Sequence, residues 1–428
     1  MNYSLEAEQG VLGCILRGQL APDESGLQQH HFGSALYGMI FGAAIELTER
    51  GKNVDLITLT DAIEEDYADD LVELSEAGIG IPQDMGKDYA HIVLERWQKR
   101  QLQSLAADVW QNAQEWSVDE SVSTLEAAGD VLASESGDMS PSSSKLFREF
   151  VSAVDERIHS GEEITGISSG YADIDRMTGG WQKSDLIILG ARPSMGKTAL
   201  SINFLRHAVS RGAKAAYFSI EMPRTKMMTR FVAAEGKVPL DALKTGRNMD
   251  THLQAMSAAV VAHNNSEFRI DDRSHMTPSL MRAACRQYKR EMGGLDLVFV
   301  DYLQLMSPGK KMESETHTVS EISKQLKRLA KDFECPVIAL AQLNRGLESR
   351  NNKRPTNADL RQSGQIEQDA DVIMFLYRDE VYDKNSDRKG EAEVIFTKQR
   401  DGEIGTRGLA WFGATQRFDN LAREQSYE

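Results

Sequence analysis

The apolar run Leu186-Ile187-Ile188-Leu189 feeds directly into Gly190-Ala191-Arg192-Pro193-Ser194-Met195-Gly196-Lys197-Thr198, and a helical pattern follows from Ala199 to Val209. A buried strand entering a tight loop that ends Gly-Lys-Thr and opens a helix is the layout of a P-loop. Small residues let backbone N–H groups approach phosphate oxygens, and the helix dipole favours their charge. Lys197 is placed to reach the β- and γ-phosphates of ATP, and the Thr198 hydroxyl to ligate Mg²⁺. One position departs from the pattern: its usual first glycine falls on Ala191.

A second strand, Leu297-Val298-Phe299-Val300, ends on Asp301. Burying a carboxylate at a core strand's end is costly unless it meets a cation, here Mg²⁺ shared with Thr198. Ala216-Tyr217-Phe218-Ser219-Ile220 leads to Glu221, for which two readings stand. It is the general base that deprotonates the attacking water, or a surface acid capping the helix that starts at Pro223. Val337-Ile338-Ala339-Leu340-Ala341 ends on Gln342, an amide able to hydrogen-bond a γ-phosphate, although Gln is common at strand ends. Lys398 and Arg400 lie two apart on a strand, hence on one face. They reach a phosphate held by an adjacent subunit, or they form a solvated basic edge. Asp359 to Gln368 is a polar segment in which Arg361 and the backbone near Ser363-Gly364 are suited to grip single-strand phosphates, and Ser307 to Thr318, with Lys310-Lys311, is a similar loop.

Candidate strands at 186–189, 215–220, 296–301, 336–341, 371–376 and 392–397 alternate with helical patterns, the signature of an α/β domain with a mainly parallel sheet. The front of the chain reads differently. Residues 1–115 are helical in pattern, with Ser4 capping a first helix and a second around Leu36 to Leu47. Thr58-Leu59-Thr60-Asp61 resembles a capping box opening a third helix. Tyr89 to Trp116 suggests one arm of a helical hairpin, and Val118 to Leu132 its return. Residues 134–144 are small, polar and broken by Pro141, as in a linker. A short amphipathic helix follows, Leu146 to Ile158, too short to stand alone. Its apolar face must dock, either on its own ATPase domain or on a neighbouring subunit. These features divide the chain into an α-helical N-terminal domain (1–135), a linker with a docking helix (136–165) and an ATPase domain (166–428).

The net charge of −16 is unevenly spread. Residues 1–150 hold 27 Asp and Glu against 9 Lys and Arg, whereas the rest carries nearly equal numbers. The ATPase part can therefore hold basic patches for nucleic acid, while the acidic front either aids solubility or serves as a docking or spacer domain held away from polyphosphate. Three scattered cysteines form no CxxC pair, which implies neither zinc module nor disulfide frame. With no signal pattern and no apolar run of bilayer length, a cytoplasmic protein is expected.

Taken together, Gly170-Tyr171-Ala172-Asp173-Ile174-Asp175 with Thr178-Gly179-Gly180, Ala191 to Thr198, Phe218 to Met222, Val300 to Leu305, Ala341 to Arg345, Asp359 to Asp371 and Lys398-Gln399-Arg400 resemble the replicative DNA helicases of the DnaB family. Ser4 to Gln9 with Val11-Leu12-Gly13 is similar too, so the resemblance covers nearly the whole chain. It implies a RecA-like P-loop ATPase preceded by an all-α domain and linker helix, assembled as a homohexamer that encircles single-stranded DNA and moves 5′→3′. It further implies primase and a helicase loader as partners. By that resemblance Glu221 is the catalytic carboxylate, Gln342 the γ-phosphate sensor, and Arg361, Gln362 and Gly364 the DNA grip. Nucleotide contacts fall to Ser194, Gly196, Lys197, Thr198, Ala199 and Arg230, and in trans to Lys398, Gln399 and Arg400. Gln362 stands where the family usually has Glu, Gln365 is uncommon, and Trp181 replaces a usual Leu, departures that bear on DNA grip or packing and not on the reaction class; a length slightly under that of the bacterial proteins suggests a phage or plasmid version. A recombinase or a RadA-type ATPase is the main alternative, but the latter's CxxC motif is absent and the acidic helical front fits neither. A non-motor loader or scaffold is opposed by Glu221 together with Lys398 and Arg400.

Overall fold

The computed structural model describes residues 3–63, 67–82, 85–116, 143–160, 164–306, 315–360 and 364–421, with isolated positions between 121 and 129. The chain divides into two compact units, Met1–Val151 and Ser152–Glu428. Among the described residues no helix is long and apolar enough to cross a membrane.

The first unit is helical: α1 (Leu5–Leu16), α2 (Ala35–Glu49), α3 (Leu56–Ala62), α4 (Ala68–Ala77) and α5 (Met85–Asn112). Ser4 caps α1 by accepting from the Ala7 N–H, as its position predicts. Glu8 is more than a first-turn acid. It is buried and accepts the Gly33 and Ser34 N–H groups at 2.7 and 3.1 Å, tying α1 to the start of α2. The capping box of α3 sits three residues earlier than the sequence suggests. Asp55 is the cap and Thr58 its N3 partner: the Asp55 carboxylate accepts the Thr58 N–H at 2.8 Å, and Thr58 Oγ1 accepts the Asp55 N–H at 2.9 Å. The expected return arm, 118–132, lies almost wholly outside the described residues, as do most of the expected linker residues 134–144. Helix α6 (Ser143–Ser160) is longer than the 146–158 pattern and spans the boundary between the units. Its Leu146, Phe147, Phe150, Val151 and Ile158 are exposed.

The second unit is a nine-stranded sheet, ordered β3-β2-β4-β5-β1-β6-β7-β8-β9. After α7 (Ala172–Thr178), β1 (Leu186–Ala191) lies between β5 (Val337–Gln342) and β6 (Val372–Tyr377), parallel to both. On the other side of β5 come β4 (Leu297–Asp301), β2 (Ala215–Ser219) and β3 (Phe268–Asp271), again parallel. The strands β7 (Glu391–Gln399), β8 (Gly405–Phe412) and β9 (Arg417–Asn420) continue antiparallel. Helices α8 (Lys197–Ser210), α9 (Arg224–Gly236), α10 (Leu240–Thr245), α11 (Leu253–Ala262), α12 (Pro278–Met292), α13 (Glu315–Phe333) and α14 (Gly364–Asp369) complete the unit. The central strands are buried on both faces and so read as continuous apolar runs. Ile187 and Leu189 pack into one core layer with Leu200 and Phe204, and Leu186 and Ile188 into the other with Leu326 and Phe375. β3, β8 and β9 were not apparent in the sequence. β3 is four half-polar residues, and the last two strands alternate polar and apolar in an edge hairpin.

The P-loop's departure at Ala191 has a local reading. Ala191 is the last residue of β1 and buried, with ordinary backbone geometry, so a methyl group fits there. Close packing falls instead on Gly190, where a Cβ would lie 2.6 Å from Cδ1 of the fully buried Phe375. Gly190→Ala is therefore expected to destabilise the ATPase unit by about 1–3 kcal/mol. The effect should appear as a lower denaturant midpoint, and Phe375→Leu in the same chain should recover part of it.

Candidate active site

Four parallel strands deliver their carboxyl ends to one edge of the sheet, the crevice where open α/β sheets bind ligands. β1 releases the P-loop there, β4 presents Asp301, β2 leads two residues on to Glu221, and β5 ends on Gln342. Ser219 pairs with Asp301 and Ala191 with Gln342, so register brings the groups level. The loop turns through Ser194 and Gly196, at φ 69° and 98°, and Gly196 caps α8. A side chain at Gly196 would be strained by that φ and would sit 3.3 Å from the Phe418 ring.

Asp301 is fully buried. Its Oδ2 accepts from Thr198 Oγ1 at 2.8 Å and from the Tyr217 hydroxyl at 3.4 Å, while Ser201 Oγ lies 2.8 Å from the same hydroxyl. Its Oδ1 has no hydrogen-bond partner among the described residues. A buried carboxylate oxygen without a donor, beside a threonine hydroxyl, fits a divalent cation. Lys197 lies 4.7 Å from the centre of the Tyr302 ring. Its surface is partly open but protein atoms crowd it closely, and this burial pushes its pKa down, opposed by the Asp301 and Glu221 carboxylates. Glu221 itself is exposed, free to meet solvent water. Arg230, on α9, is half-buried and its charge acts on the Tyr217 phenol, which puts it on the same side of the site.

Lys398, Gln399 and Arg400 are elsewhere. The end of β7 pairs with the start of β6, with Gln399 opposite Val372 and Lys398 opposite Ile373. Val372 is in turn level with Ile187, at the opposite end of β1 from the P-loop. Four residues of strand, about 13 Å, separate the two levels. Lys398 Nζ donates to the Glu367 and Gln368 carbonyls, and the Arg400 guanidinium donates to the Gln368 carbonyl at 2.9 Å. The strand ends at Gln399, so Arg400 lies one residue past it, yet both cations reach the same carbonyl. Gln399 Nε2 donates to the Met177 carbonyl at 2.9 Å. Lys197, Thr198, Glu221, Asp301 and Gln342 thus converge on one edge of the sheet, and the Lys398–Arg400 group occupies the other. Gly364 opens α14 and is exposed, whereas Arg361, Gln362, Lys310 and Lys311 fall outside the described residues. Of the unusual residues, Gln365 donates to Asp369 at 2.7 Å, and Trp181 is buried edge-on against Phe204.

Two arginines at the P-loop escaped sequence reasoning. Buried Arg192 donates to the Leu343 carbonyl and pairs with Glu348 at 2.7 Å, fastening the loop to the segment after Gln342. Arg378, just past β6, donates to the Ser194 carbonyl at 3.3 Å and lies 4.7 Å from the centre of the Trp411 ring. The Leu343 carbonyl that Arg192 meets and the Ser194 carbonyl that Arg378 meets are each more than 150 residues away in sequence, so no local pattern marks these two contacts.

The fold and the phosphate-loop edge define a P-loop ATPase with a RecA-like domain. The DnaB-like helicase C-terminal domain model matches residues 166–420, and the DnaB-like helicase N-terminal domain model matches residues 1–95. The chain is 41% identical to the replicative DNA helicase DnaB of Pasteurella multocida, over 99% of this chain and 94% of that one. It is 37% identical to the DnaB of Geobacillus stearothermophilus, over 98% and 95%. A solved DnaB-like replicative helicase, described with its interactions with primase, superposes with a TM-score of 0.72 at 32% identity, covering 98% of this chain and all of that one. A second solved structure, an isolated ATPase domain, gives 0.62 at 38% identity, over 64% of this chain and 98% of that one. The chain belongs to the DnaB family of replicative DNA helicases.

The helices bearing Lys197 and Arg230 are clamped together. Glu235 of α9 pairs with Arg206 of α8 at 2.6 Å, both mostly buried, while His263 Nε2 lies 3.7 Å from the same carboxylate, beyond hydrogen-bond length. The His263 imidazole and the Arg206 guanidinium hold the Glu235 carboxyl at about 2, below its ordinary 4.5. A lowered carboxylate pKa adds stability that is complete above the unfolded value and lost as pH falls towards the folded one. Glu235→Gln should therefore cost on the order of 2 kcal/mol at neutral pH. In unfolding curves taken at descending pH, its gap from wild type should close between 4.5 and about 2.

Proposed function

We propose that this chain works as a homohexameric ring that hydrolyses ATP with Mg²⁺ to move 5′→3′ along single-stranded DNA and part the duplex at a replication fork. The observation that carries this reading is the division of the site. The phosphate-binding groups and Glu221 sit at one edge of the sheet, and the cations Lys398 and Arg400 sit at the other, out of reach of their own P-loop. Such a chain completes its site only when the far edge of one copy meets the near edge of the next. That is a head-to-tail contact, which gives a ring when the rotation from copy to copy closes.

Within the site, Ser194 to Ala199 cradle the phosphates through backbone N–H groups, and Lys197 neutralises the β- and γ-phosphates. Thr198 and Asp301 hold Mg²⁺, which supplies charge neutralisation to the polyphosphate. Glu221 takes the proton of the attacking water, Gln342 hydrogen-bonds the γ-phosphate, and Arg230 contacts the nucleotide. From the adjacent copy, Lys398 and Arg400 stabilise the charge that grows in the transition state, with Gln399 between them. Arg361, Gln362 and Gly364 grip DNA phosphates without reading bases.

The exposed apolar face of α6 has a fitting receptor on another copy. Between α9, α10, α11 and β3 runs an apolar groove of about 610 Å³, lined by Met228, Val232, Leu243, Met256, Val260 and Ile270. Docking there sets the organisation as an α-helical domain (1–135), a linker with docking helix (136–165) and an ATPase domain (166–428). Primase is a partner, by likeness to the relative described with it, and a helicase loader and a cytoplasmic setting complete the proposal.

Lys197→Ala is expected to abolish hydrolysis, and Glu221→Gln to keep ATP binding while kcat falls by about 10²-fold or more. Fluorescent-nucleotide titration beside steady-state turnover checks both. Wild-type turnover by the Glu221 variant would make that carboxylate structural. Arg361→Ala should weaken single-strand binding equally across sequences and flatten the slope of log affinity against log salt by about 0.7 for each subunit engaged on the strand, leaving nucleotide affinity intact. An unchanged slope places the grip elsewhere, with Lys310-Lys311 the next segment to test.

A further inference from the structure

At the far edge of the sheet, Arg400 is held by a carboxylate that the proposed chemistry leaves unused. Asp371 closes the short connection between α14 and β6 and is buried. Its Oδ2 accepts the Leu186 N–H at 2.7 Å and Lys327 Nζ at 2.5 Å. Its Oδ1 faces the Arg400 guanidinium at 3.4 Å, and its backbone carbonyl accepts the Arg400 N–H at 3.1 Å. One residue therefore fixes both the backbone and the side chain of Arg400.

The division of labour between the two carboxylate oxygens matters. Lys327, on α13, is mostly buried and takes the shorter contact, so it balances most of the Asp371 charge. Arg400 is half-exposed and is held by the remaining oxygen at a longer distance. A pair of that kind orients a guanidinium without trapping it. An arginine that must enter another molecule's site has many rotamers to lose on entry, and a carboxylate that narrows them beforehand lowers that entropic cost. The Gln368 carbonyl bears on the same guanidinium, so Arg400 is aimed from two directions. Asp185 lies against this cluster, and its pKa rises to about 6 through burial first and the Asp371 charge second.

We propose that Asp371 is the positioning residue for the trans-acting Arg400, with Lys327 as the counter-charge that leaves the guanidinium free to engage the neighbouring subunit's nucleotide. The inference rests on Arg400 acting in trans.

Cis and trans defects separate cleanly in mixed rings of full-length chains. Asp371→Asn is mixed with Lys197→Ala, and in parallel Arg400→Ala is mixed with Lys197→Ala. The readout is first-turnover ATP cleavage by rapid quench, which needs no passage of hydrolysis around the ring, with ring formation checked by native mass measurement. Alone, Asp371→Asn should lower kcat tenfold or more with KM for ATP within twofold. On mixing, its cleavage per chain should rise above the weighted mean of the two variants, as that of Arg400→Ala should. If Arg400→Ala is rescued and Asp371→Asn is not, the Asp371 defect acts within its own chain through Leu186 and β1, and the positioning role is overturned. Wild-type kcat in Asp371→Asn overturns it as well. If mixed rings form and neither variant is rescued, the trans role of Arg400 is what fails. Asp371→Asn combined with Lys327→Met removes the stranded ammonium should the single variant fold poorly. The double variant must show the same loss and the same rescue.

Discussion

A fully buried carboxylate with one oxygen unmet organises this molecule. Asp301 is placed at the carboxyl end of β4, in the middle of a sheet whose strands exclude water on both faces. Thr198 and Tyr217 satisfy one of its oxygens, and the other is left without a donor among the described residues. Such an arrangement fits a cation sharing the site. Lys197 tells the same story from the other sign of charge. Crowding lowers its pKa, two carboxylates oppose that shift, and its ammonium lies against the Tyr302 ring. Phosphates arriving at the loop would restore the charge balance that burial disturbs.

Parallel strands give the sheet two chemically different edges, and this polarity separates the functions. Carboxyl ends bring the P-loop, Asp301, Glu221 and Gln342 together. The antiparallel turn into β7 carries Lys398 and Arg400 back to the amino end of β6, beside the short helix α14 that Gly364 opens. The same feature that collects the phosphate-binding groups therefore expels the two cations from their own site. A single strand reversal, between β6 and β7, makes the isolated chain an incomplete catalyst under the reading proposed above. It also puts the cations in direct contact with the last turn of α14, the helix that follows the candidate DNA grip in sequence.

The legibility of these features in the sequence follows from their range. The P-loop, Asp301 and the central strands β1, β2, β4, β5 and β6 are written in contiguous residues, because a strand buried on both faces reads as a mainly apolar run, whereas β7 carries Glu393 and is only partly buried. Glu221 and Gln342 were visible as strand-end residues, but composition alone left their roles open. The capping box of α3 was displaced to Asp55 because several Thr and Asp residues in succession satisfy the same local pattern. Arg192, Arg378 and Asp371 left no trace in local pattern. Each acts on groups far along the chain, and a charged residue next to a loop looks solvated until the fold closes around it. Strand β3 at one edge and the β8–β9 hairpin at the other were missed for the related reason that half-buried strands carry a weak alternation.

Helix α6 imposes a final constraint on what the folded unit is. Phe147, Phe150, Val151, Leu146 and Ile158 are exposed, yet covering each large apolar side chain is worth about 1.5–3 kcal/mol. A helix of this length gains little from its own hydrogen bonds in water. Burial of that face would therefore contribute more to the helix's stability than its own hydrogen bonds do.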